Sequence, residues 1–246
     1  MTGGRTLTLF TRGVRQYLRT PVLLLLLVLL PADMVGLVMR ESSDMIVPLS
    51  VTGGGTLILR LQDVTGVFMG PLAAAVVGGI FGLFVMQRAR DADSRLAIAG
   101  FRPFEVVLAR LGLIAVACLL VTGVVVVVLT TQFTPEYLPL YAVAVFLAAI
   151  SFGMIGALLG LMIDRLAGLY AMLFVPMVDI LLFQNPISPR SLPWASALPG
   201  HHVTQAAIDA SFGEGFDELS LLLAVAYVCV LVAVTTGAFH RTVTGT

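Results

Sequence analysis

Apolar residues fall into six runs, at roughly residues 21–39, 64–87, 105–131, 139–163, 167–184 and 218–239. Each reaches or approaches the ~20 residues that a helix needs to cross the hydrocarbon core of a bilayer. The pattern therefore predicts an all-α membrane protein with six transmembrane helices in a single domain spanning residues 1–246. Between the second and third runs lies the one long charged interruption, Arg88 to Arg110, which carries five basic residues.

Three segments outside these runs have patterns of their own. Over residues 6–19, Leu7, Phe10, Val14, Tyr17 and Leu18 recur at helical spacing while Arg12, Arg15 and Arg19 share the opposite face. That is the signature of an amphipathic helix lying in the lipid interface, apolar side in the acyl boundary and arginines at anionic headgroups. Within the stretch 88–104, Asp91 or Asp93 is placed to cap a short helix from about Ser94 to Ala99. Gly100 can end it and Pro103 prevents its continuation. Leu96, Ile98 and Phe101 on so short a helix have no core of their own chain beside them, so a surface of another protein is expected to receive them. Over residues 185–216, Pro186, Pro189, Pro193, Pro199 and Gly200 exclude a long helix, while LPWASALPG and VTQAAIDAS each remain apolar enough for a half-helix. A short helical hairpin, surface-lying or re-entrant, is expected before the last crossing, with Trp194 at the interface.

Arginine sets the orientation. Six crossings put both termini on one side. Arg5, Arg12, Arg15, Arg19, the five from Arg88 to Arg110, Arg165 and Arg241 fall on that side, and only Arg40, Arg60 and Arg190 on the other. By the positive-inside rule both termini and the stretch 88–104 are cytoplasmic, in a multi-pass protein of the plasma membrane, and the hairpin is extracytoplasmic. No cleavable signal peptide is expected, because about twenty residues precede the first run and no small-residue cleavage pattern follows it.

Composition narrows the function classes. The chain is 59% hydrophobic and 11% charged, with a mean hydropathy of +1.03. All 14 residues counted as Lys+Arg are arginine. Without lysine there is no phosphate-binding G-x-x-x-x-G-K-[ST] loop, so any ATP used on this protein's behalf is bound by another chain. A net charge of zero points to no nucleic-acid partner. Cys118 and Cys229 both lie in apolar runs and read as small hydrophobes.

Candidate chemistry is sparse. Ala74, Gly78 and Gly82, and again Gly156 and Gly160, are spaced by four, which lets helices approach closely. Tyr170, Pro176 and Asp179 interrupt the fifth run, and an acid at membrane depth normally faces a cavity or a partner; Asp179 is the candidate pathway residue. The TGGG run Thr52 to Gly55 reads as a flexible turn rather than a phosphate cradle, with no strand and helix expected beside it. His201 and His202 are adjacent and lack an acidic or cysteine cluster, so no metal site is expected. Asp164 and Asp179 stand at different depths and form no catalytic pair, and no H-E-x-x-H occurs, which argues against an intramembrane hydrolase. A secondary transporter or channel subunit is the alternative, but the two halves of the chain show no inverted repeat.

The order of parts resembles the membrane subunit of an ABC-2 type transporter over almost the whole chain. The resemblance is carried by the amphipathic segment 6–19, the stretch ADSRLAIAGFRPFEVVLARL before the third run, LPWASALPGHHVTQAAIDA before the sixth, and the closing GAFHRTV. It implies a permease, an exporter, built as a pair of membrane subunits, identical or not, with two separate ATP-binding subunits that hold ATP and Mg; no cofactor is implied in this chain. It further implies that Asp91, Asp93, Arg95, Leu96, Ile98, Phe101, Arg102 and Phe104 couple the permease to the ATPase. The family commonly begins this segment with Glu, where Asp91 and Asp93 stand here. The first, second and fifth crossings would line the path and the dimer interface.

Overall fold

The computed structural model describes residues 11, 13, 21–50, 56–98, 103–187, 193–213 and 218–244. Helices dominate: α1 (Pro21–Glu41), α2 (Leu61–Ile98), α3 (Pro103–Thr130), α4 (Leu138–Met162), α5 (Arg165–Pro176), α6 (Pro199–Phe212) and α7 (Glu218–Thr244). A two-stranded antiparallel hairpin, β1 (Ile46–Ser50) and β2 (Thr56–Arg60), joins α1 to α2. Among the described residues five helices are long and apolar enough to cross a membrane: Leu61–Arg88, Val106–Thr130, Leu138–Met162, Arg165–Phe183 and Glu218–Phe239. The expected first run is also helical, as α1, with Asp33 its one charged residue. Of the expected interfacial segment 6–19, only Thr11 and Gly13 are described, both helical; its amphipathic pattern lies outside the described residues.

α2 is the central element. Its apolar length is almost entirely buried, with α4 as its most extensive neighbour and α1 and α3 beside it. The closeness of α2 and α4 follows from the small residues. A Cβ built on Gly78 would meet the carbonyl oxygen of Ala149, one on Gly82 that of Gly153, and one on Gly156 that of Gly79; on Gly160 it would stand 2.8 Å from the oxygen of Leu83. With no side chain at these positions the two backbones touch, which is how helices gain dispersion energy where lipid removes the hydrophobic driving force.

Helix ends alternate between two poles. At one pole, Arg110 Nη1 donates to the Val85 carbonyl (3.2 Å) and Gln87 Nε2 to that of Ile163 (3.5 Å). The guanidinium of Arg165 lies 5.1 Å from the Phe84 ring centre, and that of Arg110 6.0 Å from that of Phe239. At the other pole, Gln62 Nε2 donates to Gln132 Oε1 (2.9 Å), Tyr141 Oη to the Val67 carbonyl (3.2 Å), and the Tyr137 amide to the Ala210 carbonyl (2.8 Å). Arg88, Arg110, Arg165 and Arg241 thus gather at the first pole, while Arg40 and Arg60 belong to the second.

Two local expectations need correction. The helix α2 does not stop near Gln87 to restart at Ser94; it runs unbroken to Ile98. Asp91 and Asp93 therefore stand inside a helix and are not caps. Ala89, Arg90, Ala92, Arg95, Leu96 and Ala97 are all strong helix formers, and once a helix is nucleated by its packed portion each further residue adds at little cost. Likewise, strands do flank the run 52–55, itself outside the described residues. Val47, Leu57 and Leu59 alternate with exposed positions and pack with buried Leu49 against the core, so the hydrophobic period there is two.

Candidate functional site: the junction of the fifth helix with the proline-rich segment

At Pro176 the winding of the fifth apolar rod changes. Proline has no N–H to continue the α-helical ladder, and the next turns, Met177–Phe183, are π-helical. Wider turns of this kind recur at functional positions in helices. Here the π-turns carry Asp179, whose side chain is buried.

The carboxylate meets the expected hairpin. A short 3₁₀ turn, Pro193–Ala197, leads into α6, whose proline at the first position has a preset φ and lacks only an N–H that would have no partner anyway. Leu198 precedes it and offers no side-chain acceptor. Asp179 supplies one from another helix: its Oδ2 accepts from the Gly200 amide at 2.8 Å. A negative group at a helix N-terminus also complements the positive end of the macrodipole. Gly200 is required sterically, since a Cβ there would lie 2.8 Å from all three carboxylate atoms.

Gln184 extends the junction. Its Nε2 donates to the Ala195 carbonyl (3.0 Å) and, at 3.4 Å, to Asp179 Oδ1. Those two acceptors orient the amide so that Oε1 faces His201 Nδ1 at 2.8 Å. An amide oxygen only accepts, so Nδ1 of His201 carries the proton. The His202 ring stands edge-on to His201, with centroids 5.1 Å apart. Trp194 is exposed and packs edge-on against Phe183 at 4.7 Å. Farther along, Gln205 Nε2 donates to the buried Asp209 Oδ1 at 3.2 Å.

Burial, and after it the neighbouring His202, holds the His201 imidazole below its usual range around 6.5. The neutral ring is the one that fits, so the undocked hairpin takes up a proton before the docked one does. Docking is strongest above about pH 6.5 and weakens as pH falls from there towards the lowered value of the docked state. Thermal unfolding between pH 7.5 and 5 is expected to show this loss, and His201→Gln to flatten it.

The other expected site residues lie elsewhere in the chain. Asp91, Asp93, Arg95, Leu96 and Ile98 lie on the last turns of α2 and Phe104 in the first turn of α3, with their side chains outside the described residues; Phe101 and Arg102 lie outside them entirely. Asp164, at the arginine-rich pole, caps α5: its Oδ1 accepts from the amides of Leu166 and Ala167, each at 3.0 Å. Among the described residues no group of three His, Cys, Asp or Glu side chains is placed to hold a metal. Cys118 is buried on α3 and Cys229 exposed on α7, both free.

One acid was missed in the sequence. Asp33 is exposed on α1, on the stripe Leu25, Leu29, Asp33, Leu37, which repeats every fourth residue and is otherwise apolar. The signal was present as a lone carboxylate inside the first apolar run. No family model and no curated protein matches this chain.

Proposed function

We propose that the chain is the permease subunit of an ATP-driven transporter of the ABC-2 type, an exporter, worked by a separate ATP-binding subunit. α1 is the first of six crossings, the arginine-rich pole and both termini are cytoplasmic, and the hairpin of the 3₁₀ turn and α6 is extracytoplasmic, in the plasma membrane. The observation that carries this is the length of α2. At ~1.5 Å per residue its 38 residues span about 57 Å, well beyond the ~30 Å hydrocarbon core. One rigid helix therefore joins the arginine-rich cytoplasmic stretch to the glycine seam with α4 and on to the β-hairpin at the far pole. A partner that grips Ser94 to Phe104 moves the centre of the bundle directly.

The chain itself contributes no nucleotide chemistry, since it has no lysine for a phosphate loop. ATP and Mg belong to the partner. Leu96, Ile98, Phe101 and Phe104 supply apolar contacts to it, while Asp91, Asp93, Arg95 and Arg102 supply the polar rim that sets specificity. Asp179 holds the outer hairpin, and Asp33 is the acid set towards a second permease subunit or the transport path. Affinity purification from native membranes tests the proposal. A P-loop ATPase is expected to accompany the chain, and a chain purified intact without one, at any ATP concentration, would refute it.

A further inference from the structure

We propose that the free edge of β2 pairs antiparallel with the same edge of a second copy of the chain, joining two hairpins into a four-stranded sheet. The partner strand is fixed by the hydrogen-bond parity of the hairpin. The Leu61 amide donates to the Met45 carbonyl at 2.8 Å, in the register that opposes Val47 to Leu59 and Pro48 to Ile58. Pairs 45–61, 47–59 and 49–57 therefore exchange main-chain bonds, and the main-chain polar groups of residues 46, 48, 50, 56, 58 and 60, for Pro48 the C=O alone, point away from the partner strand.

The two edges are unequal. On β1 the middle position is Pro48, which has no N–H, so that edge is blunted against strand addition. On β2 the outward N–H groups of Thr56, Ile58 and Arg60 and the carbonyls of Thr56 and Ile58 form a donor–acceptor row, while the Arg60 carbonyl also opens the first turn of α2. Ile58 is 75% exposed, more than any other large hydrophobic residue described.

The row is complementary to itself. Two β2 strands related by a two-fold axis at Ile58 set Ile58 against Ile58 and Thr56 against Arg60; the Ile58 and Arg60 amides meet free carbonyls, and the Thr56 amide meets the second lone pair of the Arg60 carbonyl. The two arginines end about 14 Å apart along the strands, beyond the ~8 Å screening length at physiological salt. An isologous contact of this kind closes on a dimer and leaves only the proline-blunted edges outside. It names the surface for the pair of membrane subunits required by the transporter reading, and commits that pair to identical chains.

The test uses full-length chain in membranes without any ATP-binding partner, so that its outcome is independent of the transporter reading. Cys118→Ala and Cys229→Ala remove the native thiols. A thiol cross-linker shorter than two strand spacings, about 9 Å, is expected to convert most of the Ile58→Cys chain to dimer. Ile46→Cys, separated from its copy by at least three strand spacings, about 14 Å, stays monomeric. Thr56→Cys and Arg60→Cys should each cross-link only when the two chains are co-expressed. Equal cross-linking at 46 and 58, none at 58, or an Ile58→Cys thiol that its own chain shields from an impermeant maleimide would each overturn the pairing.

Discussion

Gly82→Leu is expected to prevent the bundle from assembling. The Cβ alone would fall against the carbonyl oxygen of Gly153, a backbone atom on α4 that cannot rotate away. Gly82→Ala therefore forces α2 and α4 apart, and overpacking of this kind costs about 1–3 kcal/mol; leucine adds three more carbons at the same place. The same holds for Gly156, whose Cβ would meet the Gly79 carbonyl. Gly123 and Gly237 supply the contrast, since a Cβ on either meets nothing within 4 Å. Size-exclusion profiles after graded heating should show Gly82→Leu and Gly156→Leu as aggregates, Gly82→Ala with a lowered midpoint, and Gly123→Ala and Gly237→Ala like the parent. Equal tolerance at all four positions would contradict the seam.

The second large effect is at the hairpin junction. Gly200→Ala drives a methyl group into the Asp179 carboxylate, and Asp179→Ala leaves the Gly200 amide buried without its acceptor. Losing a hydrogen bond to a charged group costs about 1.5–3 kcal/mol, a roughly ten- to hundred-fold rise in opening of the hairpin. Amide exchange across residues 193–212 should accelerate by that factor in both variants while exchange in α2 and α4 stays at the parent rate. Asp179→Asn, which keeps an acceptor oxygen but loses the charge, should fall between. A uniform change over all helices would mean that Asp179 acts on global stability and not on this junction.

How far the fold was legible varies with the kind of signal. The apolar runs located the long helices to within a few residues, except at the arginine-rich end of α2, because lipid and core both demand continuous hydrophobicity. The glycine spacing likewise announced the close approach of helices, and the prolines around residues 186–200 announced broken helices at the pole opposite the arginines. The β-hairpin was not expected, because Ile46 and Ile58 put apolar side chains at exposed positions and blur the alternation, although a glycine-rich turn between two short β-prone stretches is a hairpin signal. The ten residues of α2 beyond Arg88 were missed for a different reason. Asp91 and Asp93 are good caps in isolation, but a cap matters only where a helix must begin, and here it was already running. Asp179 showed its presence in the sequence and not its partner, since the Gly200 amide is brought to it by tertiary packing alone.

In the proposed transporter a separate ATPase would move the bundle by gripping the end of α2. ATP hydrolysis and transport in the reconstituted complex, compared between the parent and Leu96→Asp, test it most directly, with Phe101→Ala as a second variant. Burial of each of these side chains against the partner is worth about 1.5–3 kcal/mol before ordering costs, so both variants are predicted to insert normally, yet lose the ATPase on purification or hydrolyse ATP without transport. Variants that hold the ATPase and transport at the parent rate would contradict the account.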